Sequence, residues 1–419
     1  MSYIIKGART ASGQAGDWYV AGGVLVDEAP DDAEVIDADG LIVLPGLVDL
    51  HTHLREPGRE DAETVASGTR AAARGGYTAV FAMANTNPVT DTAEKAEHVW
   101  ELGREAGNCQ VVPVGAITKG LAGAELAELG LMAKSRAGVR LFSDDGRCVM
   151  DAQLMRRAFE WVKPFDGVLA QHSQDASLAG PTACCHEGEL SGLLGLGAWP
   201  PVAESVIIAR DAQLAELTGA RLHVCHITSA EGVEVVRWAK KRGISITAEV
   251  TPHHLLLGVE EVATYDTTFK VNPPLRSSEH VEALRAALAD GTIDTVGTDH
   301  APHVSHDKEH AFVDAAPGMI GLEQALGVVI ETMVNPGRLT WEQVADRMSI
   351  APARIGRVAG QGRPVAVGEP ANLVLVDPTR RAVVDRAASS SISRNNPYHG
   401  RDLPDPVVAT MWKGRVTYR

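Results

Sequence analysis

The chain has 419 residues, with 39 Lys and Arg against 54 Asp and Glu, a formal net charge of −15. Hydrophobic residues make up 45% and charged residues 22%, an ordinary globular composition that excludes a disordered, collagen-like or fibrous chain. The acidity excludes an electrostatic nucleic-acid or anionic-membrane binder, because neutralising phosphates takes clustered Lys and Arg, and no run of about 18 apolar residues is present to span a membrane.

At roughly 100–200 residues per domain, the length suits two to four domains, or one large barrel with an attachment. The first residues, Met1-Ser2-Tyr3-Ile4-Ile5-Lys6, lack signal-peptide anatomy and fit a strand. Residues 1–45 carry short apolar runs at 3–5, 24–26 and 34–36, broken by Gly, Pro and Asp. They are assigned to the N-terminal part of a small β-domain. Residues 46–355 behave differently. Apolar, β-branched runs at 41–50, 77–83, 110–117, 139–142, 167–171, 221–225, 245–250 and 292–296 alternate with helical patterns such as 62–73, 204–217 and 230–241. That rhythm predicts a parallel sheet with strands buried on both faces, and eight βα units predict a closed barrel. The alternative is an open doubly wound sheet. It calls for a Gly-rich loop after the first strand, and Val48-Asp49-Leu50-His51-Thr52-His53 has none. Helical patterns at 322–334 and 340–348 follow. Residues 356–419 return to antiparallel strand patterns at 372–376, 407–412 and 414–416 and are assigned to the C-terminal part of the same β-domain. Five cysteines (Cys109, Cys148, Cys184, Cys185, Cys225) form no CxxC and include an adjacent pair. They fit reduced thiols of a cytoplasmic protein, not a disulfide framework or a zinc ribbon.

Functional residues of a parallel barrel gather at the C-terminal ends of its strands. Here those ends carry His51-Thr52-His53, Asn85, Asp144-Asp145, His172, His226, His253-His254 and Asp299 with His300 and His303. Only the third, at Ile117-Thr118-Lys119, offers nothing obviously chemical. Imidazole with carboxylate suits zinc and related divalent ions. Positions i and i+2 of a strand share a face, so His51 and His53 can reach one ion. More ligands are present than one tetrahedral ion takes, which makes two ions plausible. Each residue alone has a plainer reading: His172 or His226 as a satisfied buried histidine, Asp144-Asp145-Gly146 as a turn, Asp299 as a helix cap. Their joint occurrence at successive strand ends favours the metal.

The string His51-Thr52-His53-Leu54-Arg55-Glu56-Pro57-Gly58 resembles the cyclic-amidohydrolase branch of the metal-dependent amidohydrolases, and class I dihydroorotases in particular. Phe142-Ser143-Asp144-Asp145-Gly146, Ala248-Glu249-Val250-Thr251-Pro252-His253-His254, Asn272-Pro273-Pro274-Leu275-Arg276 and Thr298-Asp299-His300-Ala301-Pro302-His303 support it in order along the barrel. The resemblance implies a distorted (β/α)8 barrel with a small β-sandwich domain built from both chain ends. It implies two Zn2+ per chain. His51, His53 and Asp299 match ligands of one ion, His172 and His226 of the other, and Asp145 the bridge. Other branches use a carboxylated Lys there, and residues 139–148 contain no Lys. Asp299 matches the catalytic acid–base. His53, Arg55, Asn85, Asn272, His303, Pro317 and Gly318 match the substrate contacts, Arg55 with Asn85 and His303 holding the carboxylate of dihydroorotate or carbamoyl aspartate. A homodimer and a complex with aspartate carbamoyltransferase are further expectations of the resemblance. Two positions depart from the family pattern: Ala84 replaces a common Pro, and Gln174 a common acidic residue two past His172. The loop 303–317, rich in His and charge, is a candidate lid. Dihydropyrimidinase or allantoinase activity is the rival enzyme reading, opposed by Arg55 and the missing Lys. A catalytically silent homologue is the non-enzyme reading, opposed by six intact ligand positions.

Overall fold

Strand and helix alternate through the middle of the chain in the computed structural model, which describes all 419 residues. Leu47–Thr52 pairs in parallel with Tyr77–Ala82, and that strand with Gln110–Pro113. A second run pairs Leu141–Phe142, Val168–Gln171, Arg221–Val224, Ile246–Val250 and Thr295–Val296, again all parallel. Single bridges, Gly115 with Phe142 and Thr52 with His300, join the two runs. The eight strands therefore close into a ring whose regular ladder lapses at two seams, and that is its distortion.

Alternation of side chains separates two cores. Val48, Leu50, Ala79, Phe81, Leu141 and Ala170 fill the barrel, together with Ile355 beneath them. Leu47, Val80, Ala82 and Leu169 point outward into a 63-residue layer shared with the helices. Gly356 lets the helix Ala351–Gly356 close the floor, because a Cβ there would stand 2.2 Å from the Phe81 ring. The helices start and stop where their end residues dictate. Ser229 accepts from the Gly232 amide to cap Ala230–Lys241, which ends in Lys240 and Lys241; losing such a cap costs about 1 kcal/mol. Val202–Thr218 stops at Gly219, φ +67°.

Both chain ends enter one eight-stranded sheet, joined where Leu373–Val376 runs antiparallel to Ile42–Pro45. One face carries its own core of Tyr3, Ile5, Val43, Leu373, Leu375 and Met411. The other sends Ile42, Leu44, Val374 and Val376 into the barrel's outer layer. The apolar run 41–50, expected as one strand, is two. Ile42–Pro45 belongs to the end sheet and Leu47–Thr52 to the barrel. Gly46 is the crossing point, where a Cβ would lie 2.3 Å from the Thr78 side chain.

The C-terminal segment is also more than sheet. Between the short strands Arg381–Val383 and Asp402–Pro404 it returns to the barrel. There the Ser391 hydroxyl donates to Glu63, and Asn395 donates to the Ala301 and Gly318 carbonyls. No helix is long and apolar enough to cross a membrane, and all five cysteines are free.

Candidate metal centre

The barrel rim brings all six expected ligands together. His51 and His53 leave the first strand on one face, ring centroids 5.4 Å apart. Their Nε2 atoms stand 3.4 Å from Asp145 Oδ1 and 3.3 Å from Asp145 Oδ2, and 3.6 and 3.0 Å from Asp299 Oδ1. On the other side, His172 Nδ1 lies 3.4 Å and His226 Nε2 3.1 Å from Asp145 Oδ1. His51, His53 and Asp145 thus form one group that could hold an ion and Asp145, His172 and His226 another, so Asp145 belongs to both; Asp299 adjoins the first through His53. His226, Asp299 and the neighbouring Arg55 have φ of 30°, 46° and 63°, three of the eight non-glycine residues in left-handed backbone. Such conformations concentrate where a site over-determines them.

Hydrogen bonds behind the rings fix which nitrogen faces inward. His51 Nδ1–H donates to Glu249 Oε1 at 2.6 Å, so Nε2 is the nitrogen turned inward; that atom is buried and has no hydrogen-bond partner. His53 Nδ1–H donates to Asn85 Oδ1 at 2.9 Å, and His172 Nε2–H to Gln174 Oε1 at 2.9 Å. The inward atoms His172 Nδ1 and His226 Nε2 are 3.0 Å apart. Lone pairs converging on buried carboxylates are a donor set made for cations, so the residues present fit a pair of divalent ions.

The electrostatics agree. Burial opposes charge on every group here, yet Asp145 and Glu249 hold the His51 imidazole well above its usual value. Against the same burial, His51, His172 and His226 hold Asp145 well below the carboxylate range, and His53 with His51 does the same to Asp299. The protons so favoured on His51 and His172 are what divalent ions would displace, since a metal ligand must be deprotonated.

One cavity of about 230 Å³ opens onto this centre. It is lined by His53, Arg55, Asn85, Asp145, Asn272, Asp299, His303, Pro317 and Gly318 among others, so every expected substrate contact faces the same space. Arg55 is its only Lys or Arg. Burial pushes that guanidinium down to about 10, which leaves it charged at neutral pH. Arg55 Nε donates to Pro302 O at 3.0 Å, which aims the fork. Asn272 Oδ1 is buried without a donor. His303 Nε2–H donates to Pro317 O at 2.9 Å, and burial together with Arg55 and Lys308 pushes its imidazole down to about 3.

Other rim residues turn away. His254 donates from Nε2 to Pro273 O, and His253 belongs to neither metal group. His300 faces Glu63 and accepts from the Gly321 amide. Asp144 braces the third-strand loop, accepting from the Ile117 and Thr118 amides and the Thr118 hydroxyl. The third strand end is therefore a support for Asp145.

Residues 40–232 match the Dihydro-orotase-like family model, and residues 170–417 the Amidohydrolase family model. A dihydroorotase of Streptomyces coelicolor is 59% identical over 99% of this chain and 97% of its own length. One of Mycobacterium tuberculosis is 52% identical over 100% and 99%. The chain belongs to the dihydroorotase family. It is thereby one of the metal-dependent amidohydrolases, enzymes that open cyclic amides. In fold it is similar to an L-hydantoinase from Arthrobacter aurescens (TM-score 0.87, 25% identity, 99% of this chain and 95% of that one) and to a dihydropyrimidinase from Brevibacillus agri (TM-score 0.86, 23% identity, 100% and 95%).

Three functional neighbours escaped the sequence reading. Glu249 accepts the hydrogen bond of His51 Nδ1–H and lies 3.2 Å from His223 Nε2. Asp49 accepts from the His51 and Thr298 amides; burial pushes its carboxyl up to about 7. The signal was there: Asp49, His223 and Glu249 are polar residues inside apolar strand runs, and such residues are rarely buried without a task.

Proposed function

We propose that this chain interconverts L-dihydroorotate and N-carbamoyl-L-aspartate at a centre of two Zn2+ ions bridged by Asp145, with His51, His53 and Asp299 toward one ion and His172 and His226 toward the other. When bound, such a pair polarises the amide carbonyl and supplies water that ionises at neutral pH. The protein's residues do the rest. Asp299, held as a carboxylate, takes the proton of the attacking water and passes it to the departing ring nitrogen. Arg55 grips the ring carboxylate with its planar fork. Asn85 Nδ2 completes that grip, because Asn85 Oδ1 is already engaged by His53, and His303, its Nε2–H committed to Pro317 O, walls the carboxylate end beside Arg55. Asn272 Oδ1 accepts from a ring N–H, and the backbone at Pro317-Gly318 meets the ring's other polar edge. Held this way, the reacting amide needs no new covalent chemistry from the protein. Ring closure reverses each transfer.

The observation that carries this reading is the single cation, Arg55, sharing one small cavity with the Asp145 and Asp299 carboxylates and the His53 imidazole. A neutral cyclic amide such as dihydrouracil would leave that buried guanidinium without its partner. The test is hydrolysis of L-dihydroorotate by the purified chain beside dihydrouracil and allantoin, with zinc measured in the same sample. Turnover of dihydroorotate is expected; preference for dihydrouracil or allantoin would contradict the role of Arg55. A homodimer and an assembly with aspartate carbamoyltransferase belong to the same proposal, and light scattering of the chain alone and mixed with that enzyme tests both.

A further inference from the structure

Lys308 sits in the loop 303–317 and is only 7% exposed. Its ammonium meets no carboxylate. It donates instead to three backbone carbonyls: Ala316 at 2.7 Å, Gly318 at 3.1 Å and Lys270 at 3.3 Å. Three donors on three acceptors exhaust what an ammonium can offer. These carbonyls are not scattered. Ala316 and Gly318 flank Pro317, and Lys270 lies two residues before Asn272. Pro317, Gly318 and Asn272 all line the cavity over the metal centre. The Gly318 amide donates to Lys270 O at 2.9 Å, so the two segments are already in contact at the point where the lysine spans them.

Further anchors hold the same loop. Thr267 Oγ1 donates to Lys308 O at 2.6 Å, and Lys270 Nζ to Val313 O at 2.8 Å. Phe312 is buried with Cys184, Cys185, Leu196 and Val262. A loop fastened at 308, 312, 313 and 316 forms a wall of the cavity. Gly318 completes it. At φ +145° it admits no side chain, since a Cβ would stand 2.8 Å from His303 Nε2 and 2.9 Å from Ala301 Cβ. The backbone edge itself therefore faces the cavity.

A buried cation is costly, and one placed on neutral carbonyls has no counter-ion to hold. What it supplies is geometry. We infer that Lys308 is a positioning residue for substrate recognition: its ammonium sets the spacing of the 316–318 backbone against the 270–272 segment, and so fixes the polar edge that receives the ring. This rests on the dihydroorotate reading above, because that reading places the ring there. The lysine touches neither the ligand set nor the Arg55 fork, so its loss falls on binding.

The test compares the zinc-loaded wild-type chain with Lys308→Met and Lys308→Arg on L-dihydroorotate. Lys308→Met should raise KM about tenfold or more while kcat stays within about threefold and zinc content is unchanged. Lys308→Arg, still a donor cation, should recover part of the KM. Equal KM in all three proteins would overturn the inference, as would a loss of zinc and kcat together, the mark of a general structural brace. Should Lys308→Met fail to fold, hydrogen exchange on the wild-type chain decides: the Ala316 and Gly318 amides should exchange slowly without substrate, and fast exchange there would overturn the pin. An inactive wild-type chain would fault the dihydroorotate reading instead, while the exchange result still judges the pin.

Discussion

The two sides of the cavity are built differently. The metal side is made of strand ends. His51, His53, His172, His226 and Asp299 lie at or within three residues of the ends of barrel strands, each 5% exposed or less, and most of the rings are locked from behind by a carboxylate or an amide. The opposite wall is made of loops. Asn272, His303, Pro317 and Gly318 hang on backbone-to-lysine and backbone-to-amide bonds, including those of Asn395 from the far end of the chain. Chemistry that needs ligand atoms held to a few tenths of an ångström sits on the sheet. Recognition, which has to fit one ring among several similar ones, sits on connections that sequence can change without disturbing the barrel.

If that division is right, substitutions should sort by side. The largest effect is expected from Asp299→Asn, which removes the proton carrier: kcat should fall about 10²–10⁴-fold, in steady-state assays where KM changes little. Next comes Arg55→Met on the wall. Losing a charged hydrogen-bond partner of about 1.5–3 kcal/mol predicts a KM for dihydroorotate some ten- to a hundredfold higher, with bound zinc unchanged. A fall in zinc for this variant would blur the two sides. Behind the metal side, Glu249→Gln keeps the shape but not the charge that holds His51. Zinc affinity, read by competition with a chelator, should weaken about tenfold, with KM for substrate intact. The smallest effect is a flat line. His303 lies far below its ordinary value and Arg55 stays charged up to about 10. His303 is therefore already neutral, and Arg55 still cationic, at every pH from 6 to 8, so 1/KM should show no break in that window in the Lys308→Arg chain, which lacks the Lys308 ammonium that burial pushes down to about 7. A break near 6.5 that vanishes in His303→Asn would mean the imidazole titrates there, and the wall's charge would have to be redrawn.

The same division explains what could be read from sequence. The strand-end candidates were legible because a strand repeats every two residues, so His51-Thr52-His53 announces its own geometry, and because each candidate closes an apolar run. The barrel was legible for the same reason. Choosing Asp145 over Asp144 took the family resemblance; spacing alone treats the pair as a turn, and only the fold shows Asp144 committed to the amides of Ile117 and Thr118. The break at Gly46 was hidden because both sides of it are apolar and extended. What governs it is a close approach to Thr78, a contact 32 residues away in sequence. Lys308 and Asn395 were illegible as wall residues. Their partners are backbone carbonyls, which leave no trace in side-chain chemistry, and Asn395 reaches them from about 77 to 94 positions away. Gln174 is a middle case. It stood out as a departure, but only the structure shows it touching both His172 at 2.9 Å and Asn272 at 3.4 Å, one residue from each side of the cavity.

The central claim is a centre of two ions sharing Asp145. Its most direct test is a titration of the metal-free chain with Zn2+, following dihydroorotate hydrolysis and bound metal together. Activity should climb until two equivalents are bound per chain, and Asp145→Asn should bind fewer and stay inactive. Full activity at one equivalent, or an Asp145→Asn chain that still reaches two and turns over normally, would contradict it.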